Sequence, residues 1–167
     1  VSKLKPLKWA TDGRGFGDNR RVVNSLYIDP DELEEVNHRL KKVYEEMEKN
    51  ETMVELYKTD DAEIIITAYG TIGRIAKSAV DMLRAEGIKV GLVRPITLFP
   101  FPKAEMLKFA KSKNVRKFVV AELSMGQYIE DVKLYTEQLK PELFIGRSGV
   151  NFMSPEDILE FVKKDAK

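Results

Sequence analysis

Three short β-branched runs, Glu63-Ile-Ile-Ile-Thr-Ala68, Lys89-Val-Gly-Leu-Val93 and Lys117-Phe-Val-Val-Ala121, recur about every 26 residues, with a weaker fourth at Leu143-Phe-Ile145. None of them alternates apolar with polar residues. A strand with one face in water must alternate, so continuous runs of this length read as strands buried on both faces of a parallel sheet. The stretches between them follow the helical period instead: Ile72, Ile75, Ala76, Ala79, Val80 and Leu83 recur at spacings of three and four. Helices are therefore expected at about 72–86, 102–112 and 126–139, the first ended by Gly87, with a last one after Ser154-Pro155. A repeat of this length accommodates one strand, one helix and two short loops. Because strand-to-strand crossovers are right-handed, the helices cover both faces. The expected fold is α/β, a three-layer αβα domain with a mostly parallel sheet over residues 59–167.

Two further regions precede it. Residues 1–28 hold Gly13, Gly15 and Gly17 beside Arg20 and Arg21 with no period of 2 or 3.6, which reads as an irregular linker or arm. Residues 29–58 read as a helical connection. Asp29 is placed as N-cap, Pro30 at the first helical position and Asp31 and Glu32 in the positive first turn. Leu33, Val36, Leu40, Val43 and Met47 then form one apolar stripe, expected to pack across the sheet domain or a partner because an exposed line of large apolar residues invites aggregation. His38 lies off that stripe and reads as a solvated histidine. The irregular basic opening at Val1 looks like a cut end.

Composition narrows the chemistry. Lys plus Arg number 28 against 27 Asp plus Glu, so no net field holds a polyanion, and nucleic acid is not an expected partner. With no Cys and one His, the sequence offers no disulfide, thiol nucleophile, Cys-ligated cluster or recognisable metal site. No run approaches the roughly 18 apolar residues that would span a bilayer, so a cytoplasmic protein without a membrane partner is expected.

In open α/β sheets ligands meet the carboxyl ends of the strands. There the sequence sets Tyr69-Gly-Thr-Ile-Gly-Arg74, Arg94-Pro-Ile-Thr-Leu-Phe-Pro-Phe-Pro102, Glu122-Leu-Ser-Met-Gly-Gln127 and Gly146-Arg-Ser-Gly149. Gly70 and Thr71, with Arg74 one turn in and Arg94 nearby, are weak anion-site candidates; a plain turn with Thr71 as N-cap is the competing reading. Arg94 and Glu122 are expected to pair as ions at the sheet edge. The Phe99-Pro-Phe-Pro102 turn reads as a core plug or a docking knob. No residue is assigned a catalytic role.

The same segments carry a resemblance. Leu26-Tyr-Ile-Asp-Pro-Asp-Glu-Leu-Glu-Glu-Val-Asn37, Asp61-Ala-Glu-Ile64 leading into Ala68-Tyr-Gly-Thr71, and Glu122-Leu-Ser-Met-Gly-Gln127 take part in it. Its most specific stretch is Gly91-Leu-Val-Arg-Pro-Ile-Thr-Leu-Phe-Pro-Phe-Pro102. Together they resemble the C-terminal portion of the alpha subunit of 2-oxoacid:ferredoxin oxidoreductases, most of all the 2-oxoisovalerate branch, with the 2-oxoglutarate branch next. The resemblance implies a transketolase C-terminal-like domain in a complex that converts a branched-chain 2-oxoacid to acyl-CoA and reduces ferredoxin. It implies beta, gamma and delta-type subunits as partners, and thiamine diphosphate, Mg²⁺, iron–sulfur clusters and coenzyme A as cofactors of the whole complex, none bound by this segment. No catalytic residue of the family has a counterpart here, so an assembly domain is expected; the end that looks cut implies uncovered apolar surface, with Phe99-Pro-Phe-Pro102, Met125, Trp9 and Leu7 as candidates, so self-association as a two-fold homodimer is expected. A free-standing nucleotide-binding module using Gly70, Thr71, Arg74 and Arg94 is the alternative.

Overall fold

The computed structural model describes residues 24–165. The arm's Gly13, Gly15, Gly17, Arg20 and Arg21 lie outside the described residues. The chain divides into two compact units, 1–43 and 44–167, with the break inside the first helix.

In the first unit Asn24 accepts the Leu26 amide at 3.0 Å, and Asp29 caps α1 (Pro30–Asn50) by accepting the amides of Asp31 and Glu32, each at 3.0 Å. Asp31 and Glu32 sit where the helix dipole favours anions. No residue of α1 is buried, and Leu33, Val43 and Met47 of the stripe are exposed. His38 is exposed beside Glu34, as a solvated histidine should be.

The second unit is a five-stranded sheet in the order β1-β3-β2-β4-β5: β1 (Val54–Tyr57), β2 (Ile64–Thr67), β3 (Val90–Pro95), β4 (Lys117–Glu122) and β5 (Glu142–Gly146). β2, β3, β4 and β5 run parallel, and β1 pairs antiparallel with β3. The segment read as helical to residue 58 thus ends in an edge strand. Four residues that alternate Val54 and Leu56 with Glu55 and Tyr57 carry too little apolar content to announce themselves after a long charged helix.

The inner strands are buried on both faces. Ile64, Ile66, Leu92 and Val119 pack under α2 (Gly70–Ala85) and α5 (Pro155–Asp165). Ile65, Val93, Phe118 and Val120 pack under α3 (Lys103–Lys111) and α4 (Gln127–Thr136). Consecutive isoleucines feeding opposite cores is what a doubly covered sheet demands of its sequence. Gly87, at φ +81°, ends α2 as expected: its amide reaches Arg84 O and the Ile88 amide reaches Leu83 O, each at 3.0 Å, a closure that needs a left-handed residue there. α5 opens with a reciprocal cap, Ser154 N to Asp157 Oδ2 at 2.8 Å and Asp157 N to Ser154 Oγ at 3.1 Å. α4 stops at Thr136, short of 139, because Glu137 and Gln138 take positive φ. None of the described helices is long and apolar enough to cross a membrane.

Candidate functional site

The parallel strands deliver their carboxyl ends to one rim, where four loops meet. Two polar groups there lie deep. Glu122, the last residue of β4, is 1% exposed. Its Oε2 accepts the Ser124 hydroxyl at 2.8 Å and the Tyr128 amide at 2.8 Å, so the carboxylate caps the positive start of α4; Oε1 has no protein partner. The Tyr128 hydroxyl shares a short hydrogen bond with Thr67 at the end of β2. Burial pushes the Tyr128 phenol far above its ordinary value, so it stays neutral at any physiological pH. Tyr69 meets the Tyr128 ring edge-on at 5.0 Å, and Phe101 stacks on Tyr135 at 4.8 Å.

Arg94 does not pair with Glu122. β2 lies between β3 and β4, so the two strand ends are not neighbours. The register sets Arg94 opposite Glu55 on β1, and its guanidinium donates to Glu55 Oε2 at 2.9 Å while Lys77 of α2 donates to Oε1 at 2.5 Å. The Lys77 and Arg94 hydrogen bonds hold the Glu55 carboxyl below the usual glutamate range. Gly73 admits this arrangement, because a Cβ there would lie 2.7 Å from Arg94 Nε.

Of the anion-site candidates, Gly70, Thr71 and Arg74 occupy the exposed first turn of α2, and Arg94 is turned to the ion-pair network beneath Gly73. The N-cap of that helix is Tyr69, extended and without a side-chain cap, not Thr71. Sequence reasoning missed Glu55, whose role exists only once β1 is known, and the Thr67–Tyr128 bond, which joins residues 61 apart.

The Phe99-to-Pro102 turn divides its two aromatics. Phe101 is a core plug, 6% exposed, whereas Phe99 is 61% exposed and meets Tyr44 edge-on at 5.7 Å. Met125, Val150 and Phe152, in the loops after β4 and β5, are exposed as well. At the opposite end of the sheet a cavity of roughly 250 Å³ is lined by Thr59, Asp60, Lys108, Ser112 and Asn114 among others. No group of three or more metal-ligating side chains occurs among the described residues.

The comparisons with known proteins converge. Residues 62–158 match the family described as pyruvate:ferredoxin oxidoreductase core domain II. The ketoisovalerate oxidoreductase subunit VorB of Methanothermobacter marburgensis is 44% identical over 147 residues, 88% of this chain and 41% of that protein. The 2-oxoglutarate synthase subunit KorA of Methanocaldococcus jannaschii is 31% identical over 151 residues, 86% of this chain and 40% of that protein. The chain thus spans about two fifths of the curated relatives it matches. Among solved structures, a 2-oxoglutarate:ferredoxin oxidoreductase from Magnetococcus marinus superposes with a TM-score of 0.71 over 84% of this chain and 24% of that one, at 21% identity. A split-gene transketolase superposes with a TM-score of 0.53 over 67% of this chain and 40% of its own, also at 21% identity. Both likenesses concern the fold, and they bear out the transketolase C-terminal-like α/β architecture.

Proposed function

Because the chain belongs to the pyruvate:ferredoxin oxidoreductase core domain II family, we propose that it is the assembly domain of the alpha subunit of a 2-oxoacid:ferredoxin oxidoreductase. The whole enzyme oxidatively decarboxylates a branched-chain 2-oxoacid, 2-oxoisovalerate, to its acyl-CoA and passes the electrons to ferredoxin. The substrate class rests on the 44% identity with a ketoisovalerate oxidoreductase subunit against 31% with a 2-oxoglutarate one. Beta, gamma and delta-type subunits are its partners, in a cytoplasmic complex.

One observation carries the assembly role. At the rim where an open α/β domain does its chemistry, the deep polar side chains are tied to groups inside the domain, with Glu122 Oε1 and Arg94 Nε left without a protein partner. Glu122 caps α4, Arg94 answers Glu55, Tyr128 and Thr67 satisfy each other, and the loops after β3, β4 and β5 expose mostly apolar side chains. The residues at the rim do not fit thiamine diphosphate. The α4 N-terminus already holds a carboxylate that repels a second anion, and the Arg94 guanidinium is engaged beneath Gly73. No step of the reaction is therefore routed through this chain; thiamine diphosphate, Mg²⁺, the clusters and coenzyme A belong to the rest of the complex.

The purified 167-residue chain, given 2-oxoisovalerate, coenzyme A and thiamine diphosphate, is expected to reduce no viologen and to gain activity only when the other subunits are co-expressed. Turnover by the chain alone overturns the proposal. Calorimetric titration with NADP, ATP and coenzyme A separates it from a nucleotide-binding module. Micromolar saturable binding, lost in Arg74→Ala, would establish the exposed first turn of α2 as an anion site.

A further inference from the structure

Most charged side chains around the amino end of the sheet answer one another. Arg84 forks onto Asp61, Lys58 meets Asp81, and Arg116 and Lys89 share Glu63. Asp60 and Lys108 break that pattern. Among the described residues neither side chain enters a hydrogen bond or an ion pair, and the Lys108 ammonium rests over the Phe109 ring, 5.7 Å from its centroid. Both nevertheless line the same cavity of roughly 250 Å³, between the β1–β2 connection and the end of α3. Thr59 lines it too. It is 8% exposed, and its hydroxyl has no partner among the described residues, whereas a threonine that deep ordinarily finds one. The side-chain amide of Asn114 is likewise untaken there, and buried Phe109 and Val115 give the cavity an apolar floor.

The walls are fixed on either side of these untaken groups. On one side Arg84 holds the connection, donating to Lys58 O at 2.7 Å and to Asp61, and the Ala62 amide reaches Thr59 O at 3.3 Å. On the other the Asn114 amide reaches Ser112 Oγ at 3.3 Å, and the Arg116 amide ties that loop to Glu63 O at 2.8 Å. A cavity ordered in advance loses little conformational freedom when it is filled.

We propose that this cavity is a binding site for a small aliphatic α-amino acid. A ligand of one sign answers either Asp60 or Lys108 and is repelled by the other; a zwitterion answers both. Its ammonium pairs with the Asp60 carboxylate and its carboxylate with Lys108, for which the Thr59 hydroxyl and the Asn114 amide are further donors. The apolar floor takes an aliphatic side chain and offers nothing to a polar one. A volume of roughly 250 Å³ is the share of about eight waters at ~30 Å³ each, about as many as the non-hydrogen atoms of valine. The choice of valine as first probe rests on the branched-chain reading above. The site rests on its charges, and the viologen assay of the proposed function depends on neither.

A ¹H–¹⁵N NMR titration of the 167-residue chain with L-valine decides it. Saturable shifts are expected at the amides of Thr59, Asp60 and Ser112. Half-saturation should fall on the order of 1 mM, the affinity that ordinary ligand efficiency allows a ligand so small. Asp60→Asn and Lys108→Met, both at exposed positions, should each weaken binding about tenfold or more. So should removal of one charge from the ligand, with 2-oxoisovalerate lacking the ammonium and isobutylamine lacking the carboxylate. Thermal melts confirm that the variants are folded; if either is not, the ligand series on the parent chain decides alone. The proposal is overturned by an L-valine titration without saturable shifts at these amides, by 2-oxoisovalerate or isobutylamine binding as tightly as valine, or by binding that survives both substitutions.

Discussion

The amino-end loops of the sheet, 58–63, 86–89, 112–116 and 137–141, each carry at least two charged residues, whereas the carboxyl-end loops after β3, β4 and β5 carry Arg147 alone. Both ends close the same strands, and each is tied down differently. At the amino end Arg84 gathers the chain from outside, donating to Val90 O and Lys58 O at 2.7 Å each and forking onto both oxygens of Asp61. Lys58 reaches Asp81 at 2.6 Å, Arg116 reaches Glu63 at 3.0 Å and Lys163 reaches Glu86 at 2.6 Å. At the carboxyl end the ties lie inside: Phe101 on Tyr135, Tyr128 on Thr67, Glu122 under α4. An end held by exposed ions is built to stay in water. An end held from within leaves its outer surface free to be apolar, and such a surface is worth keeping only where something covers it.

The largest expected effect tests whether internal anchors and outer surface are separate at the carboxyl end. Phe101→Ala should lower unfolding free energy by about 3–5 kcal/mol, because it empties a site packed against Tyr128 and Tyr135. Phe99→Ala, two residues away, should stay within about 0.5 kcal/mol, the ordinary range for a surface position. Equal costs in urea denaturation would erase the distinction. Glu122→Ala should fall between them, at about 1–3 kcal/mol, because the Tyr128 amide is left buried without its acceptor. A loss confined to α4 in hydrogen exchange, with β4 still protected, would place the effect where the geometry puts it.

What sequence could show follows the same division. The continuous runs of β2, β3 and β4 and the stripe of α2 were legible because burial on both faces leaves no polar residue in the pattern. Ser154, Pro155 and Gly87 were legible because caps are local chemistry. Strand order is not local. Placing β2 between β3 and β4 separates Arg94 from Glu122, and placing the unrecognised β1 beside β3 supplies Glu55 instead. Phe99 and Phe101 look alike in composition, and only the packing of α3 and α4 beneath the turn assigns one to the core. The α1 stripe shows the converse: its period was clear, but a period says that a face is apolar, not what covers it.

Acid should loosen the β1 edge. Glu55 is held below its ordinary value by Lys77 and Arg94, and Asp81 below its own by Lys58 and Tyr57. A carboxyl whose folded value is depressed contributes stability that is present above its unfolded value and is lost as pH falls through the folded one. The melting temperature should therefore hold down to about pH 4.5 and decline below it, and Glu55→Gln should be less stable at neutral pH but shallower on acidification. A mutant decline as steep as that of the parent chain would show that the edge network contributes nothing to acid sensitivity.

The smallest effect sits on the most exposed ties. Arg116 reaches Glu63 at 3.0 Å, with the two side chains 62% and 38% exposed, and Lys89 approaches the same carboxylate at 3.5 Å. Exposed pairs of this kind contribute about 0–1 kcal/mol, because water screens the attraction and two long side chains must give up rotamers to make it. Arg116→Ala should shift the melting temperature by no more than about 2 °C, and about 0.5 M NaCl should remove even that, since a Debye length of a few ångströms screens the pair in the parent chain as well. Met125→Glu, at an exposed position of the carboxyl end, should likewise leave the melt nearly where it was. A melting shift well above about 2 °C from either substitution would mean that exposed positions at one end of the sheet hold the fold more than their side chains indicate.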